Sequence, residues 1–130
     1  MNSIVKEVAS GVASADPASV LSTATTRASE LLGLSHLQLS SVLGTSEASI
    51  SMVVTGDRTI SPTSKEGELA TLLIRVYRSL DAMVGSEQQQ RHAWIRSYNH
   101  ALNGVPADML CTAQGLVTVA SYLDGMRAPL

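Results

Sequence analysis

The chain has 130 residues, of which 45% are hydrophobic but only 3% are aromatic, with no Phe at all. A core this poor in rings must be built from aliphatic side chains, which disfavours β-sandwiches and barrels, and the apolar content excludes wholesale disorder. The formal net charge of −2 excludes a long surface that coats a polyanion, but not a small DNA-binding patch. The single cysteine excludes an internal disulfide.

The first part of the chain gives weak structural signals. Residues 1–15 are small and polar, with loosely spaced apolar positions that fit either a frayed helix or a mobile arm. Asp16 and Pro17 have the character of an N-cap and a first helical position. A clear apolar face begins only at Thr25 and stops at Gly33. We therefore predict an N-terminal arm over residues 1–24.

Capping residues and glycines predict the helices that follow. Ser35 with Gln38, Thr63 with Glu66 and Ser86 with Gln89 have the spacing of capping boxes. Further N-caps are predicted at Thr45 or Ser46 and at Thr112. The predicted helix ends are the glycines Gly33, Gly44, Gly56, Gly85, Gly104 and Gly125.

The clearest helix lies in the middle of the chain, where apolar residues recur at i, i+3, i+4 and i+7. These residues are Leu69, Leu72, Leu73, Val76, Tyr77, Leu80, Met83 and Val84. No segment alternates convincingly with period two. We predict an all-α protein with a first domain over residues 25–84 and a small helical second domain over residues 85–130.

The stretch from His36 to Thr55 has the spacing of a DNA-binding helix-turn-helix. Such a unit needs a small residue where its helices cross, a glycine in the turn and apolar residues that lock the second helix onto the first. Ser40 and Gly44 fit the first two positions. The predicted lock consists of Leu39, Leu43, Ile50 and Val53.

With those residues buried, the other side of the second helix is predicted to face a major groove. The predicted DNA contacts on or near this face are Ser46, Glu47, Ala48, Ser49, Ser51 and Met52. Arg58 and Lys65 are candidate phosphate contacts, and His36 and Gln38 are candidates for a backbone or base contact. A plain helical hairpin packed in a core is the alternative.

Charge argues that DNA binding by one copy is weak. Glu47 lies where phosphates approach, although a glutamate can accept a hydrogen bond from cytosine N4. The basic and acidic residues of the stretch 25–78 balance, so counterion release contributes little per monomer. We therefore expect a homodimer if DNA is bound.

A second motif lies downstream. The run from Trp94 to Thr112 reads Trp-Ile-Arg-Ser-Tyr-Asn-His-Ala-Leu-Asn-Gly-Val-Pro-Ala-Asp-Met-Leu-Cys-Thr. Together with Gly115, Leu116 and Val119, it resembles the toxin-binding domain of the Xre/MbcA/ParS antitoxins. That pattern has a Trp-containing helix, Asn, Leu-x-Gly-x-x-Pro, a Leu-x-Thr step and a final helix. The chain departs from it at Tyr98 and His100, where proline-like or smaller residues are often seen.

The resemblance implies an antitoxin of a type II toxin–antitoxin system. Such antitoxins neutralise a RES-domain toxin that degrades NAD, and their complexes typically repress their own operon. The expected partners are this toxin and operator DNA, with a homodimer inside a hetero-oligomeric complex. The implied toxin contacts are Trp94, Asn99, Leu123, Arg127 and Leu130. Packing is the alternative role for Trp94, and capping of a turn is the alternative for Asn99.

Two other functions stay open at this point. One is a free-standing helix-turn-helix regulator that uses its second domain for dimerisation. The other is a small enzyme with a nucleophilic pair of Cys111 and His100, although a structural cysteine is the ordinary reading. His92 and His100 are too far apart along one helix to share a metal, and no glycine-rich phosphate loop is present. We expect no catalysis, cofactor or metal.

The sequence also predicts a cellular location. No apolar run approaches the roughly 20 residues that cross a bilayer. The first ten residues carry Lys6 and Glu7 and lack the continuous apolar stretch of a signal peptide. We therefore expect a cytoplasmic protein with no membrane partner.

Overall fold

The computed structural model describes residues 16–127, which form seven α-helices. In chain order these are α1 Pro17–Leu32, α2 His36–Leu43, α3 Glu47–Thr55, α4 Lys65–Val84, α5 Gln88–Arg96, α6 Pro106–Met109 and α7 Ala113–Arg127. Within this range β-type pairing is limited to one isolated bridge between Asn99 and Gly104. The predicted all-α fold is confirmed.

Helix α1 begins earlier than the predicted arm allows. Asp16 caps it by accepting a hydrogen bond from the Ala18 amide at 3.1 Å, and Pro17 occupies the first turn. Residues 17–24 are therefore helical, while residues 1–15 of the predicted arm lie outside the described range. The predicted cap at Asp16 and Pro17 is confirmed, and the arm boundary at residue 24 lies too late because the buried positions before Thr25 include Ser22 and carry little apolar signal.

The hydroxyl groups of α1 satisfy their own hydrogen bonds inside the protein. Ser22 Oγ donates to the Ala18 carbonyl at 2.6 Å and accepts from the Ile60 amide at 2.8 Å. Thr25 donates to the Leu21 carbonyl at 2.6 Å. A buried polar group that keeps its partners costs little, so small hydroxyl residues can line this interface.

Several predicted helix boundaries are confirmed. Ser35 and Gln38 form the capping box of α2, and Gly44 ends α2 with a left-handed φ of 68°. Ser46 caps α3 by accepting from the Ser49 amide at 3.0 Å. Thr112 accepts from the Gly115 amide at 3.0 Å at the start of α7.

Other predicted boundaries are wrong. Ser64, not Thr63, caps α4, because its hydroxyl accepts from the Gly67 amide at 3.0 Å. Helix α5 begins at Gln88 with Glu87 as its N-cap and no side-chain cap, so the box predicted at Ser86 does not form. Helix α7 continues past Gly125 to Arg127.

Helix α4 is the centre of the molecule. Its most extensive contacts are with α7 and α1, and one apolar core runs from Leu32 to Leu123. Ala70, Leu73, Val76 and Leu80 of α4 are fully buried in that core. We call residues 16–64 the N-terminal half and residues 85–127 the C-terminal half, and both halves pack against α4.

Helix α5 also contacts the end of α1 directly. The buried guanidinium of Arg91 bonds Asp81 at 2.9 Å and the Leu31 carbonyl at 3.3 Å. Arg96 donates to the Gly33 carbonyl at 3.2 Å. Cations at a helix C-terminus satisfy its orphan carbonyls and interact favourably with its dipole. These two arginines therefore fix the C-terminal half against the N-terminal half.

Candidate functional site

Helices α2 and α3 pack as the helix-turn-helix spacing predicts. Ser40 lies buried at the crossing, where its hydroxyl donates to the Leu37 carbonyl at 2.6 Å. Gly44 in the turn adopts a left-handed conformation that an L side chain rarely adopts. The four predicted lock residues, Leu39, Leu43, Ile50 and Val53, are all buried.

The opposite side of α3 is open to solvent. Its exposed residues include Glu47, Ala48, Ser51 and Met52, which we call the recognition face. They occupy positions i, i+1, i+4 and i+5 of one helix, so they lie along one stripe. Ser49 lies beside this face and is half-buried. The residues of α3 that were predicted to face DNA are thus largely exposed, and their contact with DNA stays a prediction.

The hydroxyl groups near this face already have partners in the helix. Ser46 Oγ accepts from the Ser49 amide as the N-cap. Ser51 Oγ donates to the Glu47 carbonyl at 3.3 Å. Each hydroxyl keeps some capacity, since Ser46 Oγ can still donate and Ser51 Oγ can still accept a hydrogen bond. The recognition face otherwise presents the Glu47 carboxylate, the Ala48 methyl group and the Met52 thioether.

The two predicted phosphate contacts have different surroundings. Arg58 forms a bidentate pair with Glu66 through contacts of 2.8 Å and 2.9 Å. The hydrogen bond to Glu66 raises the pKa of Arg58 above its ordinary value. Lys65 is 92% exposed and only loosely paired with Glu68 at 3.3 Å. Lys65 is thus the more available cation, whereas Arg58 holds the loop between α3 and α4 against α4.

The two predicted contacts on α2 also differ. His36 is exposed at the first position of the helix. Gln38 Oε1 accepts from the Ser35 amide at 2.9 Å, which leaves the amide nitrogen of the same side chain to reach a partner.

The motif of the C-terminal half folds into a tight turn between α5 and α6. Asn99 and Gly104 exchange backbone hydrogen bonds of 2.8 Å and 3.2 Å, and Asn99 Oδ1 accepts from the Leu102 amide at 3.0 Å. Asn103 closes the turn with a positive φ of 58°, and its Oδ1 accepts from the Tyr98 hydroxyl at 2.5 Å. Asn99 therefore builds this turn, as its alternative role predicted.

A groove runs between this turn and α7. Its volume is about 480 Å³, and its lining includes Gly104, Val105, Met109, Gly115 and Thr118. Gly115 lets α7 approach α6 closely, because a Cβ at this position would collide with the Met109 carbonyl oxygen. The small residues of the motif thus shape the groove.

The predicted toxin contacts fall into different environments. Trp94 is half-buried, and its ring stacks on Tyr122 with centroids 6.5 Å apart. Arg127 is exposed at the end of α7, and its guanidinium donates to Ser79 Oγ at 3.2 Å. Leu123 is fully buried in the core, so its predicted role as a surface contact is incorrect. Leu130 lies outside the described residues.

Comparison with protein-family models assigns both halves of the chain. Residues 11–75 match the antitoxin Xre-like helix-turn-helix domain. Residues 79–128 match the antitoxin Xre/MbcA/ParS C-terminal toxin-binding domain. The chain belongs to the Xre-type antitoxins. A search of curated proteins found no significant match.

Both family matches of the antitoxin reach into α4. The first ends at residue 75 and the second starts at residue 79, so the long helix supplies the core of both. The two domains are thus joined through a shared helix and not by a linker.

Sequence reasoning missed the polar contacts that hold the antitoxin's halves together. Arg91 was not singled out, although it is the buried arginine that reaches α1. Asp124 accepts from Ser79 Oγ at 2.7 Å and from Arg75 Nε at 2.7 Å, and no sequence motif pointed to either contact. These bonds lower the pKa of Asp124, with Ser79 as the larger cause. The partners lie 45 to 60 residues apart, so no local pattern reveals them.

The antitoxin's lone cysteine is half-buried just after the end of α6. Burial raises the pKa of the Cys111 thiol, and its Sγ lies 3.6 Å from the Ala107 carbonyl. The exposed His100 ring contacts Tyr98 edge-on at 5.0 Å. Antitoxin and helix-turn-helix families are in general regulators without enzymatic activity.

Searches for a metal site and a membrane span both gave negative results for residues 16–127. No group of three or more His, Cys, Asp or Glu side chains there is arranged to hold a metal ion. No helix in the same range is long and apolar enough to cross a bilayer.

Proposed function

We propose that this antitoxin binds and occludes a RES-domain, NAD-degrading toxin through its C-terminal half, and that it represses its own operon through α2 and α3. The observation that carries the proposal is the order of two family domains on one chain, a helix-turn-helix followed by a toxin-binding domain. The choice of a RES toxin rests on the resemblance of the Trp94–Thr112 motif to the toxin-binding domain of the Xre/MbcA/ParS antitoxins.

The groove beside α7 is the surface we assign to the toxin. Val117 and Met126 are exposed on α7, at 48% and 56%, and Tyr98 is 52% exposed at the turn. Apolar side chains this open to water favour a protein partner, so we include all three with the groove in the assigned surface. The Trp94 ring stacks on Tyr122 of α7, the helix that carries Val117 and Met126.

Arg127 is the candidate polar contact to the toxin. It is exposed at the end of α7 and carries a permanent positive charge. Near a pocket that handles a dinucleotide, a guanidinium can form charge-assisted hydrogen bonds to phosphate or carboxylate groups. We assign Arg127 this role at the toxin's active-site entrance.

Operator binding is assigned to the recognition face and to the residues around it. The open face of α3 and the exposed Lys65 support this role. The acidic Glu47 and the pairing of Arg58 with Glu66 keep the attraction of one copy for phosphates small. We therefore propose a homodimer inside the toxin complex, because two copies double the number of contacts.

The experiment that tests the toxin assignment is co-expression with the neighbouring gene. We expect the antitoxin to restore growth and cellular NAD in cells that express the toxin, and to co-purify with it. Val117→Glu should weaken both effects, because it places a charge on the assigned surface. Val20→Glu is the matched control, since Val20 on α1 has the same 48% exposure.

Three outcomes separate the candidate functions. Rescue with co-purification supports the antitoxin role, and recovery of an NAD pool that the toxin alone depletes identifies the toxin's chemistry. Rescue from a toxin that leaves the NAD pool unchanged contradicts the choice of a RES toxin but not the antitoxin role. Binding to DNA upstream of the gene, with no association with the neighbour's product, favours the free-standing regulator.

A further inference from the structure

The recognition face has an unusual chemistry for a DNA-reading helix. Its exposed side chains are Glu47, Ala48, Ser51 and Met52, and the Ser51 hydroxyl is already bonded to the Glu47 carbonyl. Met52 is 46% exposed, although a thioether gains nothing from contact with water. The face therefore offers the Glu47 carboxylate, two apolar groups and the Ser51 oxygen as an acceptor, but no side-chain amide, guanidinium or ammonium donor.

These groups select particular edges of the bases. Guanine is read by Arg or Lys and adenine by Asn or Gln, because both need hydrogen-bond donors. None of these four residue types lies on α3 between Glu47 and Thr55. Apolar side chains instead contact the C5-methyl group of thymine, and a carboxylate accepts from the N4 amino group of cytosine.

We propose that α3 reads pyrimidines in the major groove, with Ala48 and Met52 against thymine methyl groups and Glu47 against the N4 amino group of cytosine. The inference rests on the proposed operator binding and adds to it the class of bases that are read. It also assigns a role to Glu47, because a carboxylate that repels phosphates is favourable at a DNA interface only where it accepts a hydrogen bond from a base donor such as cytosine N4.

DNA is the partner that the surrounding structure favours for this face. The face belongs to the second helix of a complete helix-turn-helix, with Ser40 at the crossing and Gly44 in the turn. Its apolar groups alternate with a charge and a hydroxyl along the stripe, and Lys65 is exposed at the start of α4. A protein interface on the same face is the competing result.

The first experiment removes thymine methyl groups without changing the hydrogen bonds of the bases. Duplexes are selected from a random library with the purified antitoxin and, in parallel, with its toxin complex. Each thymine of the selected site is then replaced by uracil, and dissociation constants are measured at one fixed salt concentration. We expect a loss of about fourfold for each contacted methyl group.

Variants connect the methyl groups to α3. Met52→Ser should abolish the difference between thymine and uracil at one position of each half-site. Val20→Ser is the control, because Val20 is an apolar residue on α1 with a similar exposure of 48%, lies outside both assigned surfaces and should keep the difference. Glu47→Gln should change the preference at one position from cytosine to adenine, because an amide both donates and accepts.

The outcomes separate this inference from the proposed function. Selected duplexes that bind equally well with uracil at every position overturn the pyrimidine inference and leave operator binding intact. Failure to select any duplex overturns operator binding and the inference with it. If Met52→Ser disrupts self-association or toxin binding but not DNA affinity, the face is a protein interface and the inference is wrong.

Discussion

The two halves of the antitoxin are stabilised by different kinds of interaction. The helix-turn-helix is locked by apolar side chains that are close in sequence, such as Leu39, Leu43 and Ile50. The C-terminal half adds long-range polar contacts, in which Arg91 reaches α1 and Asp124 reaches Arg75 and Ser79. Apolar packing tolerates small shifts, whereas a bidentate or buried polar contact depends on geometry. The relation between the halves is therefore the geometry-sensitive part of the molecule.

The largest expected effect comes from two glycines, one in the first turn of α4 and one in α7. A Cβ at Gly67 would collide with the Ser61 carbonyl oxygen, and a Cβ at Gly115 would collide with the Met109 carbonyl oxygen. We expect Gly67→Ala and Gly115→Ala each to cost about 3 kcal/mol of unfolding free energy, measured in urea. Because one core joins both halves, each variant should shift a single transition.

Gly125 provides the control for these two variants. A Cβ at Gly125 meets no atom within 4 Å, and the residue lies inside α7. Gly125→Ala should therefore stabilise the protein by about 0.5 kcal/mol through helix propensity. Two separate transitions in Gly115→Ala would contradict the view that both halves unfold together.

The next effect concerns the contact between the halves. Arg91→Met keeps most of the side-chain volume but removes the bonds to Asp81 and the Leu31 carbonyl. We expect a loss of about 2 kcal/mol in urea unfolding, below the range for a fully buried pair because Asp81 is 33% exposed. Arg96→Met, on the exposed surface of the same helix, should cost less than half as much. Equal losses of unfolding free energy in the two variants would show that burial of Arg91 does not raise the cost of removing its hydrogen bonds.

A smaller effect tests the polar face of α1. Ser22→Ala leaves the buried Ile60 amide without its acceptor. The expected cost is about 1.5 kcal/mol, because an orphaned buried donor loses its hydration without gaining a partner. Ser19→Ala is the control on the exposed side of α1 and should change stability by only a few tenths of a kcal/mol. A neutral Ser22→Ala would mean that water replaces the hydroxyl at Ile60.

The smallest effect depends on pH. The pKa of Asp124 is lowered in the folded state, so its contribution is present above the unfolded-state pKa of about 3.9 and is lost as pH falls through the lower folded value. Asp124→Asn should lose less than about 1 kcal/mol at neutral pH, because the carboxylate is partly exposed. The difference from the parent chain should vanish in acid. A difference that is constant with pH would contradict an ionic role for Asp124.

Sequence patterns predicted correctly those elements that are stabilised by residues close to one another in the chain. The helix-turn-helix follows from spacing alone, since Ser40, Gly44 and the lock residues interact within 20 positions of one another. The cap at Asp16 and Pro17 was predicted correctly, but the arm boundary at residue 24 was placed too late because Ser22 is buried as a hydroxyl residue. The cap at Ser86 failed although its sequence fits, because α5 begins two residues later, where Arg91 and Arg96 reach α1.

The predicted contacts of the C-terminal half agree less well with exposure than those of α3 do. The resemblance implied that Leu123 contacts the toxin, whereas the structure buries it fully in the core with Leu116 and Val119. Asn99 and Trp94 have structural roles that motif matching alone did not separate from contact with a partner. A family motif contains both the residues that build a surface and the residues that contact its partner, so matching the motif does not tell the two apart.

Hydrogen exchange of the antitoxin alone, with its toxin and with its operator is the most direct test of a division of labour between the halves. We predict that the toxin slows exchange in residues 97–127 and that DNA slows exchange in residues 35–65. Protection of the same helices by both partners, or protection of α3 by the toxin alone, would contradict the account.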